Sequence, residues 1–125
     1  MSLHINTLTI DATQPQELAA FWVSALDWYV IHQDDELALI APARDPSALP
    51  GAMAVLFQRN PDAKTTKNRW HFDLVPDDQA AEVHRLEALG AHRVEVGQGD
   101  VSWVVMADPE GNELCVLRSF AADNA

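Results

Sequence analysis

The chain spells one order of elements twice, and that doubling narrows the possible folds more than any other feature of the sequence. In the first half, residues 7–10 alternate polar with apolar as a strand does, and the run ends at Asp11. Thr13-Gln14-Pro15-Gln16 predicts a helix start, with Thr13 as the cap, Gln16 three residues on and Pro15 just inside. Leu18, Phe21, Trp22 and Ala25 then recur at i, i+3, i+4 and i+7, one face of a helix. Three strand-like runs follow at 28–32, 37–41 and 52–59, separated by the turn at Asp34-Asp35 and a proline-rich loop over 42–51.

The second half repeats this order. Residues 70–75 alternate as a strand, and Pro76-Asp77-Asp78 opens a helix with Ala80, Val83, Leu86 and Leu89 along one side. Gly90 is placed to end that helix in a left-handed conformation. Strands are predicted over 92–96, 101–106 and 113–118, with turns at 97–100 and at Asp108-Pro109-Glu110-Gly111-Asn112. The polar stretch 60–68 reads as a linker between a first module over 3–59 and a second over 69–118, leaving 119–125 as a tail.

The fold class is therefore α+β, two βαβββ modules related by internal duplication. Val55-Leu56-Phe57-Gln58-Arg59 near the end of one half answers Leu114-Cys115-Val116-Leu117-Arg118 at the end of the other. A ferredoxin-like βαββαβ domain would place two strands between the helices, where this chain has four. One helix covers only one face of a four-stranded sheet. The other face needs a second module, in the same chain or across a homodimer. Curved sheets meeting in this way leave a trough, the natural ligand site.

Composition bounds the function. A chain of 125 residues suits one domain over 1–125, and 48% hydrophobic with 22% charged residues is a globular composition. No apolar run approaches the roughly 20 residues that span a bilayer. The start Met1-Ser2-Leu3-His4 lacks signal-peptide character, and the single Cys115 excludes an intrachain disulfide and an all-thiolate zinc site. The expected location is the cytoplasm. Acids outnumber bases 19 to 8, for a net charge of −11, with 8 and 2 through Asp62 and 11 and 6 beyond it. Acidity spread in this way repels phosphate backbones and anionic lipid, so neither nucleic acid nor membrane is an expected partner. It serves either as a solubility surface or as a field that draws cationic ligands.

Three stretches carry a resemblance. Phe21-Trp22-x3-Leu26-x-Trp28, Lys67-Asn68-Arg69-Trp70-His71-Phe72-Asp73-Leu74 and Asp108-Pro109-Glu110-Gly111-Asn112-Glu113-Leu114-Cys115, in the doubled order above, resemble a glyoxalase-like domain of the vicinal oxygen chelate (glyoxalase/bleomycin resistance/dioxygenase) superfamily. The resemblance runs from about Leu3 to Arg118. It implies the fold strongly and the activity weakly, because that superfamily hosts lyases, isomerases, dioxygenases and non-catalytic drug-binding proteins. Its metal-dependent members place ligands on the first and last strands of each module. Those positions fall here on Thr7 (Asn6 with a one-residue slip), Leu56, His71 and Cys115, where the last is usually Glu. Leu56 cannot ligate, Thr7 is a poor ligand, and His4, an odd number of residues from Thr7, points to the other face. No metal and no cofactor are expected from this set.

Strand alternation lists the residues expected in the trough: Thr7, Thr9 and Asp11; Leu56 and Gln58; His71 and Asp73; Trp103 with Val105; and Cys115 and Leu117. Leu8, Ile10, Trp70, Phe72 and Leu74 are expected to face the helices. His71 with Asp73 and Asp11 is the cluster with chemical potential, either as a general base oriented by carboxylates or as a structural hydrogen-bond network. Cys115 reads as core packing, or as a nucleophile only with a base or helix N-terminus beside it. Trp22, Trp28 and Trp70 read as core, and Trp103 as core or as a stacking platform for a flat or cationic ligand. His32, His84 and His92 fall at surface positions.

Three functions remain. The first is a metal-independent, small-molecule-binding protein of the bleomycin-resistance kind, sequestering a drug or metabolite as a homodimer. The second is a lyase, isomerase or dioxygenase, metal-dependent or using His71 as base. The third is an interaction module whose trough is filled by its own side chains. With no Lys or Arg expected at a trough position, the ligand is predicted to be neutral or cationic and partly aromatic.

Overall fold

The computed structural model describes residues 3–120 of the chain. It resolves into two compact units, Met1–Ala63 and Lys64–Ala125, each a βαβββ module. Part of the expected tail, 121–125, lies outside the described residues.

In the first unit, β1 (Thr7–Ala12) leads into α1 (Pro15–Leu26), then β2 (Tyr29–Gln33), β3 (Leu37–Ala41) and β4 (Ala54–Arg59). The helix carries the chain across the sheet, so β4 pairs parallel with β1 and the strand order is β1-β4-β3-β2. The cap of α1 is Gln14, not Thr13, and its side chain makes no capping bond. Pro15 is the reason: a residue before proline is driven into extended backbone, so Gln14 is the last non-helical position. At the other end Asp27 takes the left-handed conformation, φ 57°, and its N–H donates to the Val23 carbonyl. Leu18, Ala19, Phe21 and Trp22 are buried, with Ala38, Ile40, Val55 and Phe57 of the sheet, and the Phe21 and Trp22 rings meet edge to face at 5.3 Å. Trp28, expected in the core, is only half-buried.

The second unit repeats the plan with shorter strands: β5 (Phe72–Leu74), α2 (Gln79–Leu89), β6 (His92–Arg93), β7 (Val104–Ala107) and β8 (Glu113–Val116), in the order β5-β8-β7-β6. Asp78 caps α2, accepting from the Ala81 N–H at 3.1 Å, and Gly90 ends it at φ 117°. The β7–β8 turn is built on Asp108, which is 1% exposed. Its carboxylate accepts from the backbone N–H groups of Glu110 and Asn112 and from the Asn112 side chain.

One expectation fails here. Trp70 is 83% exposed, because β5 begins pairing with β8 only at Phe72 and leaves residue 70 off the sheet. The boundary between the two units, Ala63 to Lys64, falls inside the stretch 60–68 expected as linker, and that stretch is fastened at each end. Asn60 bonds back to Ala12 and Asp11 of the first unit, whereas Lys64 and Asn68 are fastened to Glu113 of the second. Among the described residues no helix is long and apolar enough to cross a membrane.

Candidate functional site

The residues expected to line a ligand site divide between the two units. In the first, β1 and β4 run parallel with Thr7 opposite Ala54, Thr9 opposite Leu56 and Asp11 opposite Gln58. Alternation therefore puts Thr7, Thr9, Asp11, Leu56 and Gln58 on one face of that sheet. The Asp11 carboxylate accepts from the Asn60 side chain at 3.1 Å, which ties down the end of its own module.

In the second unit a cleft of about 350 Å³ opens over the sheet. Val96, Trp103, Val105 and Leu117 form its apolar wall. His71, Asp73 and Cys115 lie at its polar end with Lys67, Glu113 and Gln98. Parallel pairing brings the first three together. Asp73 sits directly opposite Cys115 across β5 and β8, and His71, two residues before Asp73, falls on the same side. His71 Nε2 is 3.1 Å from Asp73 Oδ1, with both side chains partly exposed. One ligand-type atom from each of His71, Asp73 and Cys115 lies within 4.8 Å of the other two.

Cys115 itself is 7% exposed. Burial pushes its thiol pKa up, and the Asp73 carboxylate pushes it further by charge and by hydrogen bonding; the Lys67 ammonium acts weakly the other way. The group is therefore a protonated thiol near neutral pH, which sets aside the nucleophile reading. Trp103 stands just before β7 rather than on it, 41% exposed, with its ring among the cleft-lining groups.

Lys67 overturns the expectation that no cationic side chain reaches the site. It sits on a strap, residues 64–68, held by Glu113: Lys64 Nζ donates to that carboxylate at 3.0 Å, as does the Asn68 N–H, and the Asn68 side chain donates to the Glu113 carbonyl at 3.2 Å. Burial raises the Glu113 pKa, but the Lys64 and Asn68 hydrogen bonds outweigh it and hold the carboxyl below its ordinary value. The sequence reading missed Lys67, Glu113, Val96 and Gln98. Lys67 looks like a linker residue until the strap is seen, whereas Glu113 lies on β8 two residues before Cys115 and was within reach of the same alternation. Val96 and Gln98 come from a loop in which the Gln98 side chain accepts from the Val96 N–H and donates to the Val94 carbonyl.

The metal centre that the resemblance implies does not fit these residues. Thr9, not a ligand type, faces Leu56 across β1 and β4, and Leu56 offers no donor atom. Thr7 adds only a hydroxyl, which already accepts from the Asn6 side chain at 2.8 Å.

Two βαβββ modules, with a cleft over the strands of the second, define an α+β chain built by repeating one unit. The chain belongs to the glyoxalase-like domain family, whose model matches residues 7–117. Among solved structures it resembles the trypanothione-dependent glyoxalase I of Leishmania major, at 14% identity over 98% of this chain and 91% of that one, with a TM-score of 0.66. A mutant of the fosfomycin resistance protein of Listeria monocytogenes, solved with Mn(II) and a dihydroxypropylphosphonic acid, is similar at 13% identity over 95% and 91%, TM-score 0.65. A glyoxalase/bleomycin resistance protein/dioxygenase family enzyme of Burkholderia phytofirmans is similar at 14% identity over 91% and 97%, TM-score 0.64. No curated protein matches the chain in sequence. Identities this low carry the fold and not the chemistry.

Proposed function

We propose that this domain binds a small organic molecule in the second-module cleft, and that it does so without the four-position metal centre of metal-dependent glyoxalases. The cleft itself carries the reading: about 350 Å³, an apolar wall ending in the half-exposed Trp103 ring, and hydrogen-bonding groups at one end. Its charges nearly balance, because Glu113 is paired with Lys64, and Lys67 and Asp73 both line the cleft. A neutral ligand, or one whose single positive group reaches Asp73, suits that lining. Its apolar, partly aromatic body would lie on Trp103, Val105 and Leu117. The same family houses resistance proteins, which fits sequestration of a drug or metabolite. The His71–Asp73 contact of 3.1 Å supports one second reading, a metal-free catalyst with His71 as general base.

The test is a calorimetric and tryptophan-fluorescence screen of cationic, neutral and anionic compounds in the presence of chelator. Trp103→Ala is expected to weaken binding by about 1–2 kcal/mol, the order of a lost aromatic or cation–π contact. Tight binding of anionic compounds alone, indifferent to Trp103→Ala and Asp73→Asn, would show the assignment of the site to be wrong.

A further inference from the structure

We propose that the cleft of the second module selects a small zwitterion, with Asp73 taking its ammonium-type group and Lys67 its carboxylate-type group. The rest of the molecule is an apolar or aromatic body lying on Trp103, Val105 and Leu117. This rests on the reading of the cleft as a small-molecule site and narrows it to one chemical class.

The charges of the lining carry the inference. Glu113 is neutralised in place by Lys64, at 3.0 Å. Lys67 and Asp73 line the same cleft with opposite charge, yet they are not joined to each other. Among the described residues Lys67 forms no ion pair, and its ammonium donates at 3.3 Å to the carbonyl of its neighbour Asn68. Asp73 meets His71 through one carboxylate oxygen, at 3.1 Å, and its side chain stays half-exposed. The Lys67 charge reaches this end of the cleft, because it is felt at the Cys115 thiol, which stands directly across from Asp73. A cationic ligand would be opposed by Lys67 and an anionic one by Asp73. Covering the cleft with either would leave one charge desolvated without a partner. A zwitterion satisfies both and leaves the net charge of the cleft unchanged.

The backbones behind both charges, and behind the apolar wall, are fixed before any ligand arrives. Asp73 is held on β5 by its pairing with β8, and Lys67 lies on the strap whose Lys64 and Asn68 are fastened to Glu113. Gln79, at the start of α2, donates its side-chain amide to the Ser102 carbonyl at 2.8 Å and to the Val116 carbonyl at 3.0 Å. Those two residues stand immediately before Trp103 and Leu117, so one side chain anchors two parts of the wall. A site built in advance loses less affinity to ordering. Its volume of about 350 Å³ lies at the small end of ligand pockets, which suits a molecule the size of an amino acid.

The experiment is calorimetry of the purified chain with four matched probes. Phenylalanine and β-homophenylalanine carry both charges at different spacings, phenethylamine carries the positive one alone, and phenylpropionate the negative one alone. At least one zwitterion is expected to bind about fivefold more tightly than either single-charge probe, the upper end for a partly exposed ion pair. Lys67→Met is expected to bring that zwitterion down to the level of phenethylamine without weakening phenethylamine itself. Asp73→Asn is expected to bring it down to the level of phenylpropionate without weakening phenylpropionate. Both side chains are exposed enough for the fold to survive, as circular dichroism would verify, and the comparison of probes on the unaltered chain needs neither variant. Trp103→Ala should weaken all four probes. Single-charge probes that bind as tightly as the zwitterions, and that Trp103→Ala weakens, would overturn the proposal and leave the cleft reading standing. A zwitterion preference untouched by Lys67→Met and Asp73→Asn would also overturn it. No binding that depends on Trp103 by any of the four would overturn both.

Discussion

Replacing Glu113 should loosen the second module and do so in a pH-dependent way. The carboxylate is the anchor of the strap that carries Lys67 to the cleft. It accepts from Lys64 Nζ and from the Asn68 N–H, each at 3.0 Å, with side chains only 12% and 21% exposed for Glu113 and Lys64. A hydrogen bond to a charged group contributes about 1.5–3 kcal/mol, and removing one member of a partly buried pair leaves the other desolvated without compensation. Two such bonds that share one acceptor are not additive, so Glu113→Ala is expected to cost about 2–3 kcal/mol. Glu113→Gln, which keeps an acceptor and loses the charge, is expected to cost about 1–2 kcal/mol. The folded carboxyl is held below its ordinary value of 4.5, so its stabilisation is complete above that pH and is lost as pH falls through the lower folded value. The gap between wild type and Glu113→Gln should therefore be full at pH 7, begin to close below about 4.5, and vanish in stronger acid. Urea denaturation followed by tryptophan fluorescence across that range measures it. A Glu113→Gln variant as stable as wild type at pH 7, or a gap that does not shrink in acid, would refute the role given to the strap.

Other perturbations probe separate parts of the argument. Asp73→Asn should weaken binding of a cationic ligand more than of a neutral one, with the difference shrinking in high salt, as calorimetry at two ionic strengths would read. Asp108→Ala should destabilise the chain by about 1–3 kcal/mol in thermal denaturation, since it leaves the part-buried N–H groups of Glu110 and Asn112 in the β7–β8 turn without their acceptor. Gly90→Ala should cost about 1–2 kcal/mol from backbone conformation at φ 117° rather than from crowding, the nearest atom to a new Cβ being Pro109 Cγ at 3.5 Å. Sedimentation of the chain is expected to return twice its mass, that of a homodimer, and a monomer's mass would refute that expectation.

The fold was legible because it is written twice. Each half alone offers short apolar runs that a strand and a buried helix segment share, but the same order recurring with the same turn chemistry removes that ambiguity. Element ends were less legible. The alternation at 70–75 and 92–96 predicts longer strands than pairing allows, because alternation records which side chains suit a sheet, not where a neighbour stops offering partners. β5 lies at the sheet edge and meets β8 over three residues, and β6 meets β7 over two. Trp70 was misplaced for that reason: its period was that of a core residue, and its strand had not yet begun.

The site divides along the same line. His71, Asp73, Trp103, Val105, Cys115 and Leu117 all lie in the cleft, and period-2 alternation had put them on one face. Glu113, two residues before Cys115 on β8, shares that face, whereas Lys67, Val96 and Gln98 arrive on a strap and a loop, which have no period to read. The cluster of His71, Asp73 and Cys115 shows the same contrast in one place. Matching positions one at a time leaves His71 and Cys115 as two isolated ligands, too few for a metal. Alternation alone sets Asp73 beside His71, but its place directly against Cys115 follows only from the parallel register of β5 and β8. Cross-strand adjacency depends on which strands pair and in which register, and neither is a property of any single stretch of sequence. Chemistry carried along one strand can be read from its pattern, whereas chemistry assembled across strands waits for the pairing.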